Sequence, residues 1–195
     1  MSNNAVSKIT IVYHSGFGHT EVQANAVGDG ARSVDGTEVS IIKAEDAADQ
    51  LELLDQADAI VFGSPTYMGS VSAPFKGFMD ASSKAWFTQN WKNKIAAGFT
   101  NSSSQSGDKL NTLMQMSIFA AQHGMIWVGL DLPPGNNSST GSPEDLNRIG
   151  SYIGAMAQSN SDAPPDLAPP PADLATARHL GVRVAEATKR WNGLI

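Results

Sequence analysis

The chain of 195 residues has no cysteine, which removes disulfides, thiolate nucleophiles and thiolate-held metals together. Any redox work must therefore come from a bound cofactor. Nor does any apolar run approach the length that crosses a bilayer, and Met1-Ser2-Asn3-Asn4 lacks the basic start and apolar core of a signal peptide. The expectation is a cytoplasmic protein with no membrane association. Positive charge is scarce as well: 13 Lys and Arg stand against 19 Asp and Glu, for a net charge of −6. The basic residues form no block or stripe, so nucleic acid is not an expected partner. Histidines 14, 19, 123 and 179 show no metal-ligand spacing, and no metal site is expected.

One local absence is more telling. Ile9-Thr10-Ile11-Val12-Tyr13 reads as a buried strand and Glu21 to Ala31 as helix, so Ser15-Gly16-Phe17-Gly18-His19-Thr20 is a strand-to-helix turn. Such a turn offers unpaired backbone N–H groups and the positive end of a helix dipole to an anion. No Lys or Arg lies between residues 9 and 31, and a triphosphate site requires a lysine there. Glu21 occupies the place of the third glycine in the dinucleotide fingerprint. A phosphate monoester held by neutral donors fits best, and flavin mononucleotide (FMN) carries one.

The remaining pattern alternates. Helix is expected over 20–33, strand over 38–42, a short helix near 50–55, strand over 58–63, and a loop over 64–70 with Ala73-Pro74 opening the next helix. A strand over 94–99, a polar loop over 100–107, helix over 108–122 and strand over 125–128 follow. Five alternations predict an α/β fold, a parallel sheet with helices on both faces, whose ligand sits beyond the carboxyl ends of the strands. Residues 1–195 read as one domain. Residues 129–172, rich in Pro, Gly, Ser and Asn, form an irregular segment expected to cover the site or an interface, before a last helix over 173–191.

Several blocks, in order and compatibly spaced, resemble the flavodoxin-like NAD(P)H:quinone oxidoreductases of the WrbA type. They are Tyr13 to Thr20, Phe62-Gly63-Ser64-Pro65-Thr66-Tyr67-Met68-Gly69, Phe78-Met79-Asp80, Ala85-Trp86 and Gln122-His123-Gly124-Met125, with a looser match at Ala177 to Gly181. The resemblance implies a three-layer sandwich with strand order 2-1-3-4-5, bound FMN, NAD(P)H as co-substrate, a quinone acceptor, and a homodimer or homotetramer. Under it, Ser15, Gly16, Phe17, Gly18, His19 and Thr20 hold the flavin phosphate, with Phe17 also on the nicotinamide side. Thr66, Tyr67 and Met68, flanked by Pro65 and Gly69, border the flavin ring. Asn101, Ser102, Ser103, Ser104, Gln105 and Ser106 line its pyrimidine edge. His123 corresponds to a histidine close to the flavin, able to assist catalysis as a proton donor or positive group, and Trp86 to the aromatic roof of the substrate slot. Two departures are plain: the third loop has glycine only at Gly107, and the region after the second strand is short.

Overall fold

Strand β1 (Ser7–Tyr13) lies inside the sheet, with β2 (Thr37–Lys43) on one side and β3 (Ala59–Tyr67) on the other, both parallel to it. This arrangement comes from a computed structural model that describes residues 6–195; the Met1–Asn4 start lies outside them. Helix α1 (His19–Arg32) joins β1 to β2. The short helices α2 (Ala44–Ala47) and α3 (Leu51–Asp55) lead from β2 to β3. A hairpin strand, β4 (Ser70–Val71), precedes α4 (Ala73–Ala81) and α5 (Ser83–Thr88). Then come β5 (Ile95–Ser102), α6 (Lys109–Gln122), β6 (Ile126–Trp127), β7 (Ala155–Gln158) and α7 (Pro171–Trp191). The spatial order β2-β1-β3-β5-β6 is the expected 2-1-3-4-5 once the hairpin strand is set aside.

Alternating side chains divide the core in two. On one face Val12, Ile60 and Phe62 pack under α2 to α6 with Phe75, Phe78, Trp91 and Phe119. On the other, Ile9, Ile11, Val61 and Phe99 meet Val27, Leu180 and Val184 of α1 and α7. The two helices on that second face cross at Gly30 and Gly181. A methyl group at either would stand 1.9 Å from a main-chain oxygen of the other helix, so glycine is required for the backbones to come this close.

Two strands run further than their sequence predicts. β3 continues through Ser64-Pro65-Thr66-Tyr67, and β5 includes Thr100, Asn101 and Ser102, all expected in loops. Partners explain the extension: Ser64 and Pro65 pair with Thr100 and Asn101, while β7 pairs with Phe99 to Ser102. β7 lies in the segment expected to be irregular. It shares the fifth sheet position with β6, which pairs only with Ile95 and Ala96.

Candidate functional site

The carboxyl ends of β1, β3, β5 and β7 surround a cleft of about 300 Å³. Its floor is the β1–α1 turn. Gly18 holds the N-cap of α1 at φ +88, and a Cβ there would meet Pro165 Cγ at 2.5 Å. Among the described residues no side chain caps this helix, and its first-turn N–H groups have no intrahelical partners. Ser15 Oγ is buried with no hydrogen-bond partner among the described residues. The His19 side chain is tied instead to the segment after β7, its Nε2 donating to Ala163 O at 2.7 Å. Ser15, Gly16, Phe17, His19 and Thr20 all line the cleft, and Gly18 shapes the turn between them.

A second wall is the β3–β4 hairpin. Thr66 pairs with Val71 and Tyr67 with Ser70, so Met68 and Gly69 alone make the turn, both at positive φ (+48 and +74). That is the geometry of a two-residue hairpin whose twist matches its strands. It leaves the Met68 side chain fully exposed at the tip, and Phe17, which also lines the cleft, is 75% exposed. Beneath them Thr66 Oγ1 lies 2.8 Å from both Thr100 Oγ1 and Thr112 Oγ1, and this hydroxyl cluster lets polar residues sit in a buried strand end. Burial raises the pKa of Tyr67, partly offset by a hydrogen bond from the Gly16 backbone, so its phenol stays protonated at neutral pH.

The third wall, Asn101 to Ser104 with Gly107, comes from β5 and its loop. Asn101 Oδ1 accepts from Ser159 Oγ at 3.0 Å. Ser159 and Ser161, which complete the cleft, were not among the expected site residues. They follow a strand of four residues, too short to stand out in a Pro- and Ser-rich stretch.

Four expected residues lie elsewhere within a single chain. Gln105 and Ser106 face a larger, open groove beside the third wall, bordered by α6 and Arg148. Trp86 and His123 share a separate cavity of about 260 Å³. His123 follows the last residue of α6, a helix of 14 residues and so about 20 Å long, which starts at the cleft and carries its end back to the amino ends of β5 and β6. There its ring stacks on Trp91 at 4.3 Å and touches Phe119 edge-on, with Nε2 3.0 Å from Ser82 Oγ. Burial lowers its pKa to about 4. Within its own chain His123 is thus an uncharged, packed ring at neutral pH, away from the cleft.

The profile of the NADPH-dependent FMN reductase family matches residues 20–132. "Flavodoxin FldP" of Pseudomonas aeruginosa is 45% identical over 92% of this chain and 96% of its own length. An NAD(P)H dehydrogenase (quinone) of Archaeoglobus fulgidus is 32% identical over 95% of this chain and 99% of its own. The chain belongs to the NADPH-dependent FMN reductase family. Among solved structures, a WrbA-like flavodoxin from Agrobacterium tumefaciens superposes with a TM-score of 0.72 at 41% identity, covering 94% of this chain and 98% of that one.

For a family that takes FMN, the cleft has the right donor set. An orphaned buried hydroxyl, an uncapped helix start and the absence of Lys and Arg among the described lining residues together suit a phosphate monoester gripped by neutral hydrogens. Apolar rims at Phe17 and Met68 suit the faces of a planar ring.

Proposed function

We propose that this protein is a cytoplasmic FMN-dependent NAD(P)H:quinone oxidoreductase that turns over by alternate binding of donor and acceptor at one open face. The observation that carries this reading is the three-walled cleft itself, with an uncharged anion seat at its floor and exposed apolar rims above. Bound FMN supplies acceptance of a hydride from NAD(P)H and passage of two electrons to a quinone. The chain's part is to grip and to orient. Ser15, Thr20 and the first-turn amides of α1 hold the phosphate, while Tyr67 and Thr66 fix one side of the ring and the 101–104 wall its polar edge. Phe17 and Met68 stay free to stack a flat nicotinamide or quinone over it. No side chain is required as an obligatory acid.

Trp86, with the neighbouring Phe87 at 82% exposure, reaches the substrate slot only from a neighbouring copy of the chain. Such residues are what a homodimer or homotetramer would cover. Among the described residues no helix is long and apolar enough to cross a membrane.

A flavodoxin-type electron carrier is the second reading, because the 45% identical relative is named a flavodoxin. One experiment separates the two. The purified protein is expected to be yellow, to bleach within seconds of anaerobic NADH or NADPH, and to recover its colour on adding a quinone. A yellow protein that ignores both nicotinamides is a carrier, and a colourless one that does not take up FMN overturns both readings.

A further inference from the structure

Lys109, fully buried in the first turn of α6, is placed against three physical preferences. Its ammonium is desolvated, it stands at the positive end of a helix dipole, and Arg148 repels it with only Asp173 opposing. Burial, the dominant cause, lowers its pKa to about 8. Placements against local preference are expected at functional or strained sites.

What it touches is the third wall of the cleft. Lys109 Nζ donates to Ser102 Oγ at 2.8 Å and to Ser104 O at 2.7 Å, and Ser102 Oγ in turn donates to Ser104 O at 3.0 Å. Gly107, at φ +54, is needed for this closeness, since a Cβ there would lie 2.3 Å from Ser102 Oγ. Next door Gln158 Nε2 donates to Ser103 O at 3.0 Å. Gln158 is itself fixed by its backbone N–H on Asp173 Oδ2 at 2.9 Å, and that carboxylate also receives both Nε and Nη2 of Arg148. The carbonyls of Ser103 and Ser104 are thus drawn toward Gln158 and Lys109, neither of which lines the cleft. A trans peptide sets its N–H opposite its C=O, so the amides of Ser104 and Gln105 point the other way.

We propose that Lys109 is a positioning residue of the flavin site: by holding Ser102 Oγ and Ser104 O it fixes the course of the third wall beside the polar edge of the ring, turns the Gln105 amide away from itself, and places a positive charge behind a wall that has none. The proposal rests on the placement of FMN given above. It concerns the ring and not the phosphate, which the β1–α1 turn holds.

Calorimetric titration of the apoprotein with FMN and with riboflavin, from pH 6.5 to 9.5, tests it in wild type, Lys109→Met and Ser102→Ala. At pH 6.5 Lys109→Met is expected to bind both ligands about tenfold or more weakly, by equal factors, as loss of a charge-assisted contact predicts. Wild type and Ser102→Ala should lose affinity as pH rises through 8, while Lys109→Met stays level. If Lys109→Met does not fold, the 13C-detected titration of the wild-type lysine decides, because a ligand that favours the ammonium form must raise its pKa. An unmoved Lys109 titration overturns the proposal, as does Lys109→Met binding like wild type, or a loss confined to FMN. Failure of wild type to bind FMN at all overturns instead the reading of the cleft.

Discussion

Helix α6 carries a buried basic side chain at each end, and the two ends have opposite characters. At its start Lys109 is surrounded by hydroxyl and carbonyl oxygens of a cleft wall. At its finish His123 is sandwiched among Trp91, Phe119 and the Ser82 hydroxyl. Burial lowers both pKa values, to about 8 and about 4, with different results at pH 7. The lysine remains largely charged, an electrostatic element of the site. The histidine is neutral, a flat piece of core with its Nδ1 unpartnered among the described residues. Desolvation acts alike on both; the reference pKa from which each starts decides which one keeps its proton.

Removing the aromatic end has the largest expected effect. Trp91, wholly buried against Phe78, Phe119 and His123, cut back to alanine is expected to cost about 3–5 kcal/mol in urea unfolding. The folded fraction should still bind FMN as before, since the cleft lies at the other end of the helix.

Titrating the two basic groups sharpens the contrast. With a folded pKa near 4 and an unfolded one near 6.5, His123 makes the unfolded chain the better proton acceptor between them. Stability falls as pH drops through that window, by at most about 3 kcal/mol, and His123→Gln should remove this loss from acid unfolding curves. For Lys109, with about 8 folded against about 10.4 unfolded, the same bookkeeping gives a gain of at most about 3 kcal/mol as pH rises from 8 to 10. Lys109→Met should show no such gain, measured as unfolding midpoints across pH. The smallest effect belongs to Met68: Met68→Ala at the exposed hairpin tip should change stability by less than about 0.5 kcal/mol, yet raise KM for NAD(P)H or quinone if the tip stacks the substrate.

The same contrast explains what the sequence disclosed. Its first strand-to-helix turn was legible because a strand, two glycines and a missing lysine are all local facts. The alternation of strands and helices was legible through hydrophobic runs. β3 and β5 were cut short on paper because Thr66, Thr100 and Asn101 look like loop residues until their hydroxyl and amide partners, far away in sequence, are seen. Ser159 and Ser161 were missed for a related reason, since β7 gains its identity only by pairing with β5. His123 was visible as a residue but not as an environment: no local pattern says that Trp91 lies flat against it.

The divided fifth strand has one more effect. An edge that is long and unbroken offers a neighbour's backbone a continuous row of free donors and acceptors, and so invites stacking of sheets from molecule to molecule. Here that border consists of two residues, then a gap spanned by a long excursion, then four residues. Along this border another chain could pair for only a few bonds at a time, whereas the opposite border is the unbroken seven-residue β2.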